Sequence, residues 1–235
     1  MSTRESDIFD TLSTRNLIAS LLVRLSSTGL NRVDNYGARY FVDNYLRHAN
    51  AWYGFIVKFY YFCLAYHCMI RPTNMPPGSR VLDIGCGIGF LAEQFHKLGY
   101  QVVGMDVHQA ALALSIYPEG CCLVNTTAQL DYPDGYFDLV VSREVLEHIP
   151  ASDIDNCIKE WDRVGKGVMV HIIAVTERGE RMTLDPTHVN VQPEQWWVAK
   201  FEHHGYQVTR KSTRRLFSPF DTSGYLVLKR NSLTC

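Results

Sequence analysis

No extended basic run is present in this chain. Its 23 Lys and Arg are balanced by 24 Asp and Glu for a net charge of -1, and the basic residues gather only at Arg210, Lys211, Arg214 and Arg215. Nucleic-acid binding leaves a stronger electrostatic footprint than this, so a nucleic-acid partner is not expected. A disulfide framework is missing too. The seven cysteines are odd in number, Cys121 and Cys122 are adjacent, and Cys63 and Cys68 are five apart. That spacing matches no zinc pattern and points to free thiols in a reducing compartment. The N-terminus carries Arg4, Glu5, Asp7 and Asp10 in place of an early apolar block. No secretory signal is therefore visible, and a cytoplasmic location is expected. Residues 51–70 reach the lower length of a membrane span, but Lys58 near the centre, His67 and Gly54 make spanning unfavourable. No transmembrane segment is expected, and peripheral membrane contact stays open.

What is there organises around Arg80 to Phe90. Val81, Leu82, Asp83 and Ile84 run into Gly85, Cys86, Gly87, Ile88 and Gly89, and an amphipathic run over 90–98 follows. This is strand, glycine turn, helix. Glycines at alternate positions let the backbone turn sharply and let a ligand lie against main-chain atoms. The start of the helix then offers unpaired N–H groups to whatever is bound. A second strand over 101–105 ends in Asp106, whose carboxylate can accept two hydrogen bonds from a ribose diol.

A dinucleotide-binding turn uses the same device, and two details separate the readings. The position that would complete Gly-x-Gly-x-x-Gly is Phe90, and Asp83 stands two residues ahead of the first glycine. The pattern Asp-x-Gly-x-Gly-x-Gly resembles motif I of class I S-adenosylmethionine-dependent methyltransferases. The resemblance implies that Asp83 and the turn of Gly85, Cys86, Gly87 and Gly89 hold the amino-acid end of S-adenosylmethionine. It implies that Asp106, with Val107 after it, holds the ribose. The loop over 125–130 would pass under the adenine. Where the family commonly has an acidic residue, this chain has Thr126, so Thr126 or Thr127 would offer a hydroxyl, with Ala128 beside them. Ser142, at the end of the fourth strand, completes the expected cofactor contacts.

The implied fold is α/β: a Rossmann-like, seven-stranded, mostly parallel sheet with an antiparallel edge strand, preceded by an N-terminal helical cap. Residues 1–77 are expected to form the cap or lid and 78–235 the cofactor-binding domain. Within the cap, apolar residues recur at helical spacing over 9–30, with a second helical stretch over 36–48. Residues 51–70 form an aromatic-rich helix that reads as lid, core or dimer contact, and 71–78, with three prolines, a linker. Further on, helices are expected over 110–115, 155–164 and 193–205. The later strands fall over 121–124, 137–142, 167–173, 206–211 and 225–229.

A second constellation follows the fourth strand. Glu144, Glu147 and His148 stand at i, i+3 and i+4, and on a helical turn they share one face. Carboxylates and an imidazole at the carboxyl edge of a parallel sheet sit where α/β folds bind ligands. Oxygen and nitrogen donors suit Mg²⁺ or Mn²⁺ and also accept Zn²⁺ or Fe²⁺. The set Glu-x-x-Glu-His with the later His188 is similar to the metal site of small-RNA 2′-O-methyltransferases, and Glu-x-x-Glu-His occurs in ubiquinone-pathway O-methyltransferases. The ligands this implies are Glu144, Glu147, His148 and His188. Without a metal, the same two histidines would serve as general base. Leu-Glu-His-Ile also recurs in methyltransferases without an evident metal, where it caps a turn. Asp185 and Trp196 or Trp197 would border the acceptor.

The expected function is O-methylation of a small biosynthetic acceptor such as a sugar, phenol or natural-product scaffold. A small-RNA 2′-O-methyltransferase, an N-methyltransferase and a non-catalytic cofactor-binding partner subunit are the alternatives. A homodimer through 51–70 also stays open.

Overall fold

The computed structural model describes residues 51–176, 185, 187–214 and 223–231. The helical stretches expected over 9–30 and 36–48, and Arg215, lie outside them.

The aromatic segment forms α1, Ala51–Cys63, which continues through a π-helical stretch, Leu64–Ile70, into a last turn, Arg71–Thr73. The linker expected from residue 71 therefore begins later. Pro72 sits in the first turn of that piece, where a missing amide costs little. The helix ends where Asn74 turns left-handed at φ 54°, and the Thr73 hydroxyl donates back to the Met69 carbonyl at 2.7 Å.

Strand and helix then alternate. They are β1, Arg80–Ile84; α2, Phe90–Lys97; β2, Gln101–Asp106; α3, Gln109–Ala113; and β3, Cys121–Leu123. β4, Leu139–Arg143, α4, Ile154–Val164, and β5, Val168–Ala174, follow. The chain closes with α5, Glu194–His203, β6, Tyr206–Arg214, and β7, Ser223–Arg230. The sheet order is β3-β2-β1-β4-β5-β7-β6, with β7 antiparallel to both neighbours and β6 on the edge. Phe137, expected to open the fourth strand, makes a single bridge to Gly165 before β4 begins.

The central strands are apolar on both faces, as strands covered by helices on either side must be. Side-chain parity divides them. Leu82 and Ile84 of β1, Val140 of β4 and Met169 and Ile173 of β5 pack with Ile158 and Trp161 of α4 and Phe201 of α5. Val81, Leu139, Val141, Val170 and Ile172 face the opposite layer, with Leu64 and Met69 after α1 and Leu91 and Phe95 of α2. Among the described residues no helix is long and apolar enough to cross a membrane.

Parity also places one buried polar pair. Ser142 shares the face of Val140, and its hydroxyl meets His171 Nδ1 of β5 at 2.8 Å. The imidazole lies between Trp161, 5.5 Å between ring centres, and Phe201, 5.1 Å away and nearly parallel. Burial pushes the His171 pKa down to about 3 from its ordinary 6.5. Its folded value lies below its unfolded value, so the unfolded chain binds the extra proton and stability falls as pH drops below about 6.5. Between pH 7 and pH 5 this one group is expected to remove about 2 kcal/mol of stability. Urea denaturation at both pH values should show a smaller pH-dependent loss in His171→Gln than in the wild type.

Candidate functional site

The site is assembled from the carboxyl ends of β1, β2 and β4. Asp83 leaves β1 on the α1–α2 face, buried, and accepts the backbone N–H of Ala92 in the first turn of α2. Its Oδ2 has no hydrogen-bond partner among the described residues. Burial, with Cys121 and Asp106 nearby, holds its pKa well above the ordinary carboxylate value. An unpartnered buried oxygen of this kind is matched by a cationic ligand group.

The turn after β1 needs its glycines. Gly85, Gly87 and Gly89 lie at φ 67°, 55° and 89°, which L side chains rarely adopt. At Gly85 a Cβ would also stand 2.4 Å from Val145 Cγ2. Asp106 fastens the turn to β2, Oδ2 taking the Gly87 N–H at 2.8 Å and Oδ1 the His108 N–H at 2.8 Å and its ring Nδ1 at 2.9 Å. A carboxylate offers about four lone-pair sites, so these contacts leave capacity for a ribose hydroxyl. The Cys86 N–H bonds the Met105 carbonyl at 2.9 Å, and its side chain is buried.

The other expected cofactor residues divide. Val107, 42 % exposed, follows Asp106 at the mouth of the turn. The Thr126 hydroxyl is on the exposed side and accepts the Ala128 N–H at 3.1 Å. Thr127 turns inward, its hydroxyl 3.7 Å from the Cys157 thiol and its carbonyl accepting Trp161 Nε1 at 2.9 Å. Ser142 stands on the far face of the sheet with its hydroxyl committed to His171. The residue beside it, Arg143, which the sequence reading passed over, lines the Asp83 cavity together with Gly85 and Tyr61. Its Nε donates to the Tyr60 hydroxyl at 3.2 Å and its Nη1 to the Tyr61 hydroxyl at 3.1 Å. Strand parity was the available signal: Asp83 pairs with Val141, so Arg143, two residues on, shares their face.

The second constellation forms at the neighbouring edge. The helical turn expected across 144–148 is confined to Leu146–His148, and Glu144 precedes it with φ 54°. The i, i+3, i+4 spacing therefore does not set the three on one helical face: Glu147 and His148 are consecutive in the turn and Glu144 stands before it. Glu144 nonetheless lies against Glu147, whose pKa is raised well above the ordinary by burial and by that neighbouring carboxylate. Glu147 Oε1 accepts the Ala174 N–H at 3.1 Å. Its main-chain carbonyl takes the N–H groups of Val189 at 3.0 Å and Asn190 at 2.9 Å. Those two bonds bring the loop after β5 onto the turn after β4. His188 thereby meets His148, ring centres 4.6 Å apart.

His148 Nδ1 lies 3.1 Å from the Thr187 hydroxyl, which donates a short bond to Asp185. Burial, then the adjacent His188, pushes the His148 pKa down to about 4, so the ring is neutral at neutral pH with a lone pair to offer. Donor atoms of Glu147, His148 and His188 lie within 4.8 Å of one another, and His188 Nδ1 is buried without a hydrogen-bond partner among the described residues. One carboxylate oxygen and two imidazoles fit a divalent metal by donor chemistry. Of the tryptophans expected to border an acceptor, Trp197 is buried in the core and Trp196 is partly buried beside Lys200.

Residues 82–168 match the family model described as a methyltransferase domain. Over that stretch, just over a third of its length, the chain is similar to methyltransferase domains. It is 41% identical over 84 residues to a ubiquinone biosynthesis O-methyltransferase of Rhodopseudomonas palustris, covering 34% of this chain and 33% of that protein. A protein of the same description from Bradyrhizobium diazoefficiens is 37% identical over 93 residues, covering 37% and 36%. The chain thus spans about a third of the length of the curated relatives it matches. Among solved structures, magnesium protoporphyrin IX methyltransferase from Synechocystis, with bound SAH, aligns with a TM-score of 0.58 at 19% identity, covering 74% of this chain and 82% of that one. The cyclase SpnF aligns at 0.61 and 16% identity over 93% and 94%. At such identities the likeness concerns the fold alone.

Replacing Gly85 by alanine combines left-handed strain with the Val145 contact. Gly85→Ala is expected to cost more than roughly 1 kcal/mol from backbone strain alone. Adding Val145→Ala should recover the steric part and leave the strain, as thermal denaturation of the single and double variants will show.

Proposed function

We propose that this chain is an enzyme that uses S-adenosylmethionine to methylate an oxygen of a small-molecule acceptor. The observation that carries the reading is the adjacency of two sites at one sheet edge. A glycine turn flanked by Asp83 and Asp106 is followed, one strand over, by a cluster of the buried Glu147 with the half-buried His148 and His188. The curated relatives' printed names, which specify O-methylation in ubiquinone biosynthesis, support oxygen as the accepting atom and a biosynthetic compound as the substrate.

The bound cofactor supplies an electrophilic methyl group on a sulfonium. Displacement at that carbon needs an acceptor lone pair held in line, so positioning is the larger part of the task. Asp83 and the glycine-turn amides would hold the amino-acid end, and Asp106 the ribose. On the acceptor side a hydroxyl is a poor nucleophile near neutral pH. His148, kept neutral by burial and bonded to Thr187, which in turn bonds Asp185, would receive its proton, with His188 beside it. A divalent cation, where one is bound, would be held by Glu147, His148 and His188 and would supply Lewis-acid activation of the acceptor oxygen.

The test is a titration of purified protein with S-adenosylmethionine and with NAD, before and after chelator treatment, with elemental analysis. Selective binding of the sulfonium cofactor is expected; binding of NAD in its place would overturn the reading. His188→Ala should lower turnover by roughly 10²-fold or more and change cofactor affinity much less. Loss of one equivalent of metal in that variant would assign the histidine to a cation, and no metal in the wild type would leave it to proton transfer.

A further inference from the structure

The cavity beside the glycine turn is lined by Asp83, Gly85, Ile88, Phe90, Tyr61 and Arg143, with Cys86 and Leu91 completing it. Among the described residues that line it, the one formal cation is Arg143. Asp83 and Arg143 reach it from adjacent parallel strands because they share a face, Asp83 standing opposite Val141 in the register. The guanidinium is held there from above. Its Nε and Nη1 donate to Tyr60 and Tyr61 at 3.2 and 3.1 Å, and its carbon lies 5.4 and 5.5 Å from their ring centres. Tyr61 in turn stacks on Phe90, the first residue of α2, at 5.1 Å. The aromatic helix thus roofs this pocket and carries the contacts that aim Arg143.

A cavity with a carboxylate on one wall and a guanidinium on the other is complementary to a zwitterion. The amino-acid end of S-adenosylmethionine is one, with an α-ammonium and an α-carboxylate. Asp83 alone would attract the first and repel the second. Resting on the function proposed above, we infer that Arg143 is the specificity residue for the cofactor's α-carboxylate, opposite Asp83 for its α-ammonium, and that Tyr60 and Tyr61 position the guanidinium. Arginine suits the task because its planar fork binds a carboxylate through two parallel hydrogen bonds. The aromatic helix is then part of the cofactor site.

The probe is decarboxylated S-adenosylmethionine, which keeps the adenosine, sulfonium and ammonium and lacks only the carboxylate. By calorimetry the wild type is expected to bind S-adenosylmethionine roughly 10- to 100-fold more tightly than this analogue. Arg143→Met, close in length and uncharged, should bind the analogue as the wild type does and lose most of that preference. Binding of the analogue serves as the control for folding. Should the methionine variant fail it, Arg143→Lys, which keeps the charge without the fork, is expected to retain an intermediate preference. A wild-type ratio near one, a preference that survives Arg143→Met, or equal weakening of both ligands would overturn the assignment while leaving the methyltransferase reading intact. A wild type that binds neither compound overturns both.

Discussion

Asp83 is wholly inside the protein, with one oxygen on the Ala92 amide at the start of α2 and the other without a hydrogen-bond partner among the described residues. A carboxylate in such a place is costly to ionise, and the structure surrounds it with features that make sense only together. The glycine turn strips side chains from one wall, so main-chain amides face the cavity. Asp106 fastens that turn to β2 through the Gly87 amide. Arg143 lies on the opposing strand at the same face. The unpartnered oxygen therefore belongs to a residue that lines this cavity, and folding bears its desolvation cost.

Much of the fold was legible because the central strands announce themselves. Val81 to Ile84 and Leu139 to Val141 are apolar without alternation, as strands covered on both faces are. The glycine turn and the acid after β2 then place the order of elements. What the sequence reading missed was parity at the ends of those strands. Ser142 looked like a site residue because it ends a strand at the ligand edge. One residue of offset sends its hydroxyl to His171 on the other face and brings Arg143 into the cavity. A period of two is unforgiving: neighbours in sequence face opposite layers.

The histidine cluster shows a different limit. Donor atoms of Glu147, His148 and the later His188 lie within 4.8 Å of one another. Spacing alone could not show that Glu144 precedes the helical turn with a left-handed backbone, its N–H on the Ile172 carbonyl of the neighbouring strand. Nor could it show the two bonds from Val189 and Asn190 to the Glu147 carbonyl that hold the later loop in place. Those are long-range contacts between irregular segments, where local propensity is silent.

The family match covers residues 82–168, which include Asp83, Asp106, Arg143 and the turn carrying His148. His188 and the aromatic helix lie outside it. The matched stretch thus holds the glycine turn and His148, while the two segments laid over the sheet edge lie outside it. A cyclase shares the fold over nearly its whole length, so the sheet by itself does not select a reaction. Selection must then come from what is laid over the sheet edge. Here that is a helix whose tyrosines hold Arg143 at the Asp83 cavity and a loop that brings His188 onto His148.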